Sequence, residues 1–172
     1  MSDAETPWSS LAARVVRVVL ARKDFGYAQL SEALASVGVK ESNRALASRV
    51  SRGRIKLCLL LQILTVTGAK VPTLWCAAVA MPGTWEQRAK EVIIAELSRQ
   101  PMVTFDELAH RMIRLGADLT EKTLMSHLDE GIISLPEFLQ CLVALGSSSL
   151  ERYVDYEDLA AAVPAVPPHL LT

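Results

Sequence analysis

Ser42-Asn43-Arg44-Ala45-Leu46-Ala47-Ser48-Arg49-Val50-Ser51-Arg52-Gly53-Arg54-Ile55-Lys56 reads as a short amphipathic helix closed by a glycine and a basic turn. Leu46 and Val50 stand four apart and share the face turned to a core. Asn43, Arg44, Ala47, Ser48 and Ser51 fall mainly on the open side. Arg49, Arg52, Arg54 and Lys56 crowd the end. Gly53 suits the position just past the last turn, where the backbone takes a positive φ. Arginine and asparagine grip guanine and adenine edges with paired hydrogen bonds, and small residues let a helix approach the bases. The stretch has the chemistry of a DNA-reading helix. A solvated basic surface helix has the same composition, so the rest of the chain must discriminate.

The pattern recurs 78 residues on, from Thr120 to Gly131. Pairing residues 27–68 with 105–146 gives eleven identities without a gap. Among them are Leu30/Leu108, Leu46/Leu124, Gly53/Gly131, Ile55/Ile133, Leu57/Leu135 and Gly68/Gly146. They fall on apolar core positions and helix-ending glycines, so the two copies are expected to share one fold. Upstream the offset is 77, as in Trp8/Trp85 and Leu20/Leu97, which places one extra residue before the second helix of the second copy.

Each copy reads as four helices. The first begins after Thr6-Pro7, a cap followed by proline in the first turn. Its counterpart has Thr84 with Gln87 three residues on, a capping box. Leu30 and Leu34 face inward from the second helix, and Gly38 ends it. Thr104-Phe105-Asp106-Glu107 is the matching start, read as another capping box. The fourth helix, residues 57–67, is apolar nearly all round, so it should be buried on more than one side. Ser134-Leu135-Pro136-Glu137 opens its counterpart. Residues 73–81 form a short apolar segment between Pro72 and Pro82, expected to pack the copies together or to join a dimer seam. A helix is expected over residues 150–162, followed by a proline-rich tail.

Half of the 172 residues are hydrophobic and 5% are aromatic, which favours packed helices over a sandwich or barrel. Cys58, Cys76 and Cys141 are scattered, with no spacing of a disulfide framework or a zinc site. The acidic start, Met1-Ser2-Asp3-Ala4-Glu5, lacks the shape of a signal peptide, and the apolar runs are too short to span a bilayer. A cytoplasmic, nucleoid-associated location is therefore expected, with no membrane partner. The net charge of −1 conceals an asymmetry. Residues 8–75 hold eleven basic and three acidic side chains, whereas residues 76–172 hold seven and fourteen. A polyanion partner is indicated for the first half alone.

Tyr27-Ala28-Gln29-Leu30-Ser31-Glu32-Ala33-Leu34, the Gly38 turn, Arg52-Gly53 and Leu61-Gln62-x-Leu64-x-x-x-Gly68 resemble a small bacterial helix-turn-helix family known mainly as a domain of unknown function. That family is similar to the λ-repressor/Xre class. The resemblance implies an all-α chain of two tandem four-helix, helix-turn-helix domains. Residues 1–68 would be the DNA-binding domain, 69–83 an apolar connector, 84–150 an acidic degenerate domain, and 151–172 a short helix and tail. In that class the second helix of the motif lies in the major groove. By position, Asn43, Arg44, Ala47, Ser48 and Ser51 would then meet bases. Arg49, Arg52, Arg54 and Lys56 would meet phosphates, as would Tyr27, Gln29 and Ser31 from the start of the preceding helix. An ion pair with Glu32 or Glu41 is the alternative use for Arg49.

The second copy replaces this surface: Asn43 by Glu121, Arg49 by His127, Ser51 by Asp129, Arg52 by Glu130 and Arg54 by Ile132. Carboxylates repel phosphates by the Coulomb attraction reversed. This copy is expected to make protein contacts through Ile132 and Ile133, with Trp75 and Met81 of the connector as further interface residues. No phosphate loop or nucleophile motif is present, so neither an enzyme nor a cofactor or metal is expected. The expected function is a sequence-specific transcriptional regulator, a homodimer on double-stranded DNA, with a protein partner at the second copy. The alternative is an adaptor or antitoxin-like protein with little affinity for DNA.

Overall fold

A computed structural model describes residues 6–164. The proline-rich tail from residue 165 and the acidic start lie outside the described residues. Within them the chain is all-α: α1 Pro7–Lys23, α2 Tyr27–Ala35, α3 Asn43–Ser51, α4 Leu57–Thr67, α5 Cys76–Ala80, α6 Trp85–Leu97, α7 Phe105–Arg114, α8 Glu121–Glu130, α9 Leu135–Ala144 and α10 Tyr156–Ala161. A 3-10 turn, Thr73–Trp75, leads into α5. No described helix is long and apolar enough to cross a membrane.

The caps lie where their sequence signals stand. Thr6 Oγ1 accepts the Ser9 N–H at 3.1 Å, with Pro7 in the first turn of α1. Thr84 with Gln87, and Ser134 with Glu137, close reciprocal boxes at α6 and α9. Such a cap is worth about 1 kcal/mol. Thr104 caps α7 through the Glu107 N–H, but the Glu107 carboxylate is taken by Arg111 at 3.0 Å, so the expected box stays half made. The last helix is shorter than expected because residues 150–154 form turns before α10 begins.

The copies are not two beads on a string. Residues 55–57 and 133–135 pair antiparallel: the Leu57 N–H donates to Ile133 O at 3.0 Å and the Leu135 N–H to Ile55 O at 2.8 Å. Lys56 stands opposite Ser134, its own equivalent. Equivalent residues facing each other in antiparallel sense mark an internal pseudo-twofold axis. The helices obey it. The first helix of each copy packs on the fourth helix of the other, α1 on α9 and α6 on α4. One continuous core results, with α4 buried along nearly its whole length.

The connector belongs to this exchange. Trp75 and Tyr153 are equivalent by the same offset of 78. The segment after Trp75, α5, packs on α6 of the second copy. The segment after Tyr153, α10, packs on α9 and reaches α1 through the pair Arg14–Asp158 at 2.7 Å. Each four-helix copy is thus followed by a short helix, and the two short helices pack differently. Trp75 is fully buried, edge-on to Phe138 with ring centroids 5.5 Å apart, and its Nε1–H donates to the buried Glu96 carboxylate at 2.7 Å. Burying such a side chain stabilises by about 1.5–3 kcal/mol. Trp75 therefore packs the copies together, the first of the two uses expected for its segment, and Ile133 lies in the same seam; both are at 0% exposure, so neither presents a surface to another chain.

Candidate nucleic-acid interface

The basic stretch forms α3 as its sequence requires. Ser42 Oγ accepts the Ala45 N–H at 3.1 Å and starts the helix. Leu46 and Val50 are fully buried beneath it, and α3 packs on α1 and α2. Gly53 ends it with φ +67 and lies directly on the carbonyl of Ser9, in the first turn of α1. A Cβ there would overlap that backbone. Gly131 repeats the arrangement with φ +69 against the carbonyl of Glu86. The two glycines dock the end of each third helix onto the first.

Docked this way, α3 turns Asn43, Arg44, Ser48 and Ser51 to solvent, with Arg52, Arg54 and Lys56 beyond its end and Ala47 half-buried. The Ser51 hydroxyl donates to Ser48 O at 2.9 Å, back onto its own helix. Arg44, Arg52 and Lys56 have no carboxylate within ion-pair distance among the described residues. Arg49 differs. Its Nη1 donates to Glu41 Oε2 at 2.6 Å and its Nε to Arg54 O at 3.3 Å, so it ties the loop before α3 to the turn after it. Of its two candidate uses, the ion pair with Glu41 is the one made.

The start of α2 lies beside this surface. Gln29 Oε1 accepts the Gly26 N–H at 2.9 Å, which leaves its amide NH2 as donor. The Ser31 hydroxyl donates to Glu41 O at 2.5 Å and serves the loop instead. Tyr27 is half-buried, and burial pushes its phenol above the ordinary range while the nearby Arg17 opposes the shift. Arg17 is exposed on α1, a cation next to the α2 start that the sequence reading left out. Its proximity comes from the packing of α1, which no local pattern reports.

On α8 the same backbone carries other chemistry. Glu121 and Glu130 are exposed, and Asp129 pairs with Lys90 at 3.0 Å. Lys122 holds the position of Arg44. His127, in the place of Arg49, meets Glu137 of α9 at 3.0 Å. Both copies anchor this position, one with a loop carboxylate and one with a carboxylate from the next helix. No group of three or more His, Cys, Asp or Glu side chains among the described residues is arranged to hold a metal. Ile132 and Met81 are half-buried. The large apolar side chains exposed on the second copy are Met102 at 91% and Ile94 at 39%.

One family model, Domain of unknown function (DUF6471), matches the chain twice, over residues 8–71 and 85–150. No curated protein and no solved structure matches it significantly.

Proposed function

We propose that this chain, which belongs to the DUF6471 family through both of its copies, binds duplex DNA through α3 and acts as a transcriptional regulator. One observation carries the reading. Arg44 and Arg52 are exposed and without acidic partners among the described residues, on a face completed by Asn43, Ser48 and Ser51. At the position of Arg52 the fold does not require a cation, because α8 builds the same helix with Glu130 there, although it keeps Lys122 in the place of Arg44. Packing does not demand the charge at Arg52, and this supports a polyanionic partner for the first copy. Under this reading α2 and α3 act as a helix-turn-helix pair. Arg44 and Asn43 reach base edges, while Arg52 and Lys56 contact phosphates.

Binding of the full chain to duplex DNA at two salt concentrations tests this. Affinity should fall steeply with salt, and Arg52→Ala should reduce the slope of log K against log salt by about 0.9. Arg44→Ala should cost about 1–3 kcal/mol on a preferred sequence and relax discrimination at one base pair. Unchanged affinity in both variants would remove α3 as the site. The adaptor reading draws on Met102 and Ile94, exposed apolar side chains on the acidic copy. It predicts no DNA binding at low salt and loss of a protein partner on Met102→Asp.

A further inference from the structure

We infer that one chain, acting alone, reads a single asymmetric DNA half-site; this rests on the DNA-binding reading above. Dimeric helix-turn-helix proteins read inverted repeats because a twofold axis relates two identical reading helices. Here that axis lies inside the chain. Residues 55–57 pair with their own equivalents 133–135, and first and fourth helices are exchanged between copies. The residues along this axis are buried within the chain: Leu57, Ile133 and Leu135 are at 0% exposure.

By this pseudo-symmetry α8 holds the place of the second reading helix of a dimer, and it carries Glu121 and Glu130 where α3 carries Asn43 and Arg52. Lys122 keeps one cation on α8, but Glu121 adjoins it. A duplex is held by the first copy and repelled by the second, so contacts extend to one side of the axis only. The pseudo-dimer has two reading positions and one reading surface.

Selection of the full chain on random duplex DNA, followed by native mass spectrometry of the chain on the enriched sequence, tests the inference. One chain per duplex on a site without inverted symmetry is the expected result. An inverted repeat, bound by two chains or spanned by one, would overturn the inference while leaving the DNA reading intact. Absence of binding at every salt concentration would remove the DNA reading and the inference with it. The double substitution Glu121→Asn with Glu130→Arg places first-copy side chains at two exposed positions of α8. This variant should bind an inverted repeat of the selected site roughly tenfold more tightly than the single site. Equal affinity for both would show that these carboxylates do not restrict the reading surface, and would count against the inference.

Discussion

Gly53 and Gly131 carry two constraints at once. Each takes a positive φ that a side chain disfavours, and each sits where a Cβ would overlap the backbone of the first helix of its own copy. Alanine at either position should therefore cost more than a loop glycine usually does, about 2–3 kcal/mol by chemical denaturation. A loss below about 0.5 kcal/mol would mean that the third helix is not seated on the first as described. The sequence marks these glycines as helix ends because they recur at the same offset. It does not report the close approach, because Ser9 and Glu86 are distant along the chain. The same limit applies to Arg49. Charge pattern allows it either a phosphate or a carboxylate, and the choice of Glu41 is made by the path of the loop between α2 and α3.

Helix boundaries were legible because caps are local. Thr6, Thr84, Thr104, Ser134, Gly53 and Gly131 announce starts and stops within a few residues. The segments after the fourth helices were less legible. Their apolar residues are few and follow no long period, so the sequence does not announce what they cover. Packing decides it. Because α5 covers α6 and α10 meets α1 and α9, neither copy holds a complete core of its own. α4 buries six leucine and isoleucine side chains, each worth about 1.5–3 kcal/mol. Uncovering part of that set removes as much as the roughly 5–15 kcal/mol that holds a domain together. Residues 1–71 expressed alone should therefore show no cooperative thermal transition as a monomer. A sharp monomeric melt of that fragment would contradict the exchange of helices.

One core shared by both copies predicts one unfolding event. Far-ultraviolet circular dichroism and tryptophan fluorescence should give coincident denaturation curves, since Trp8, Trp75 and Trp85 lie in or against the common core. Thiol chemistry offers a second readout. Cys76 is exposed, whereas Cys58 and Cys141 are buried. Burial raises the pKa of both buried thiols, with the Glu86 charge adding to Cys58 and the Glu137 and Glu96 charges to Cys141, so both stay protonated and unreactive at neutral pH. A thiol reagent should modify one cysteine of the native chain quickly and the other two at the rate of global unfolding. Early modification of Cys141 would show that the second copy opens separately.

Read alone, the 172 residues establish the all-α class, the duplication, most helix limits and the opposite charge of the two third helices. All of these depend on neighbours a few residues apart, or on comparing one half of the chain with the other. The antiparallel pairing of residues 55–57 with 133–135, the exchange of first and fourth helices, and the burial of Trp75 and Ile133 come from tertiary packing. Hydrophobic burial is non-directional, so an apolar face states that it must be covered without naming its cover. In this chain each copy's apolar faces are covered by the other, and that choice turns a tandem repeat into a single pseudo-symmetric body.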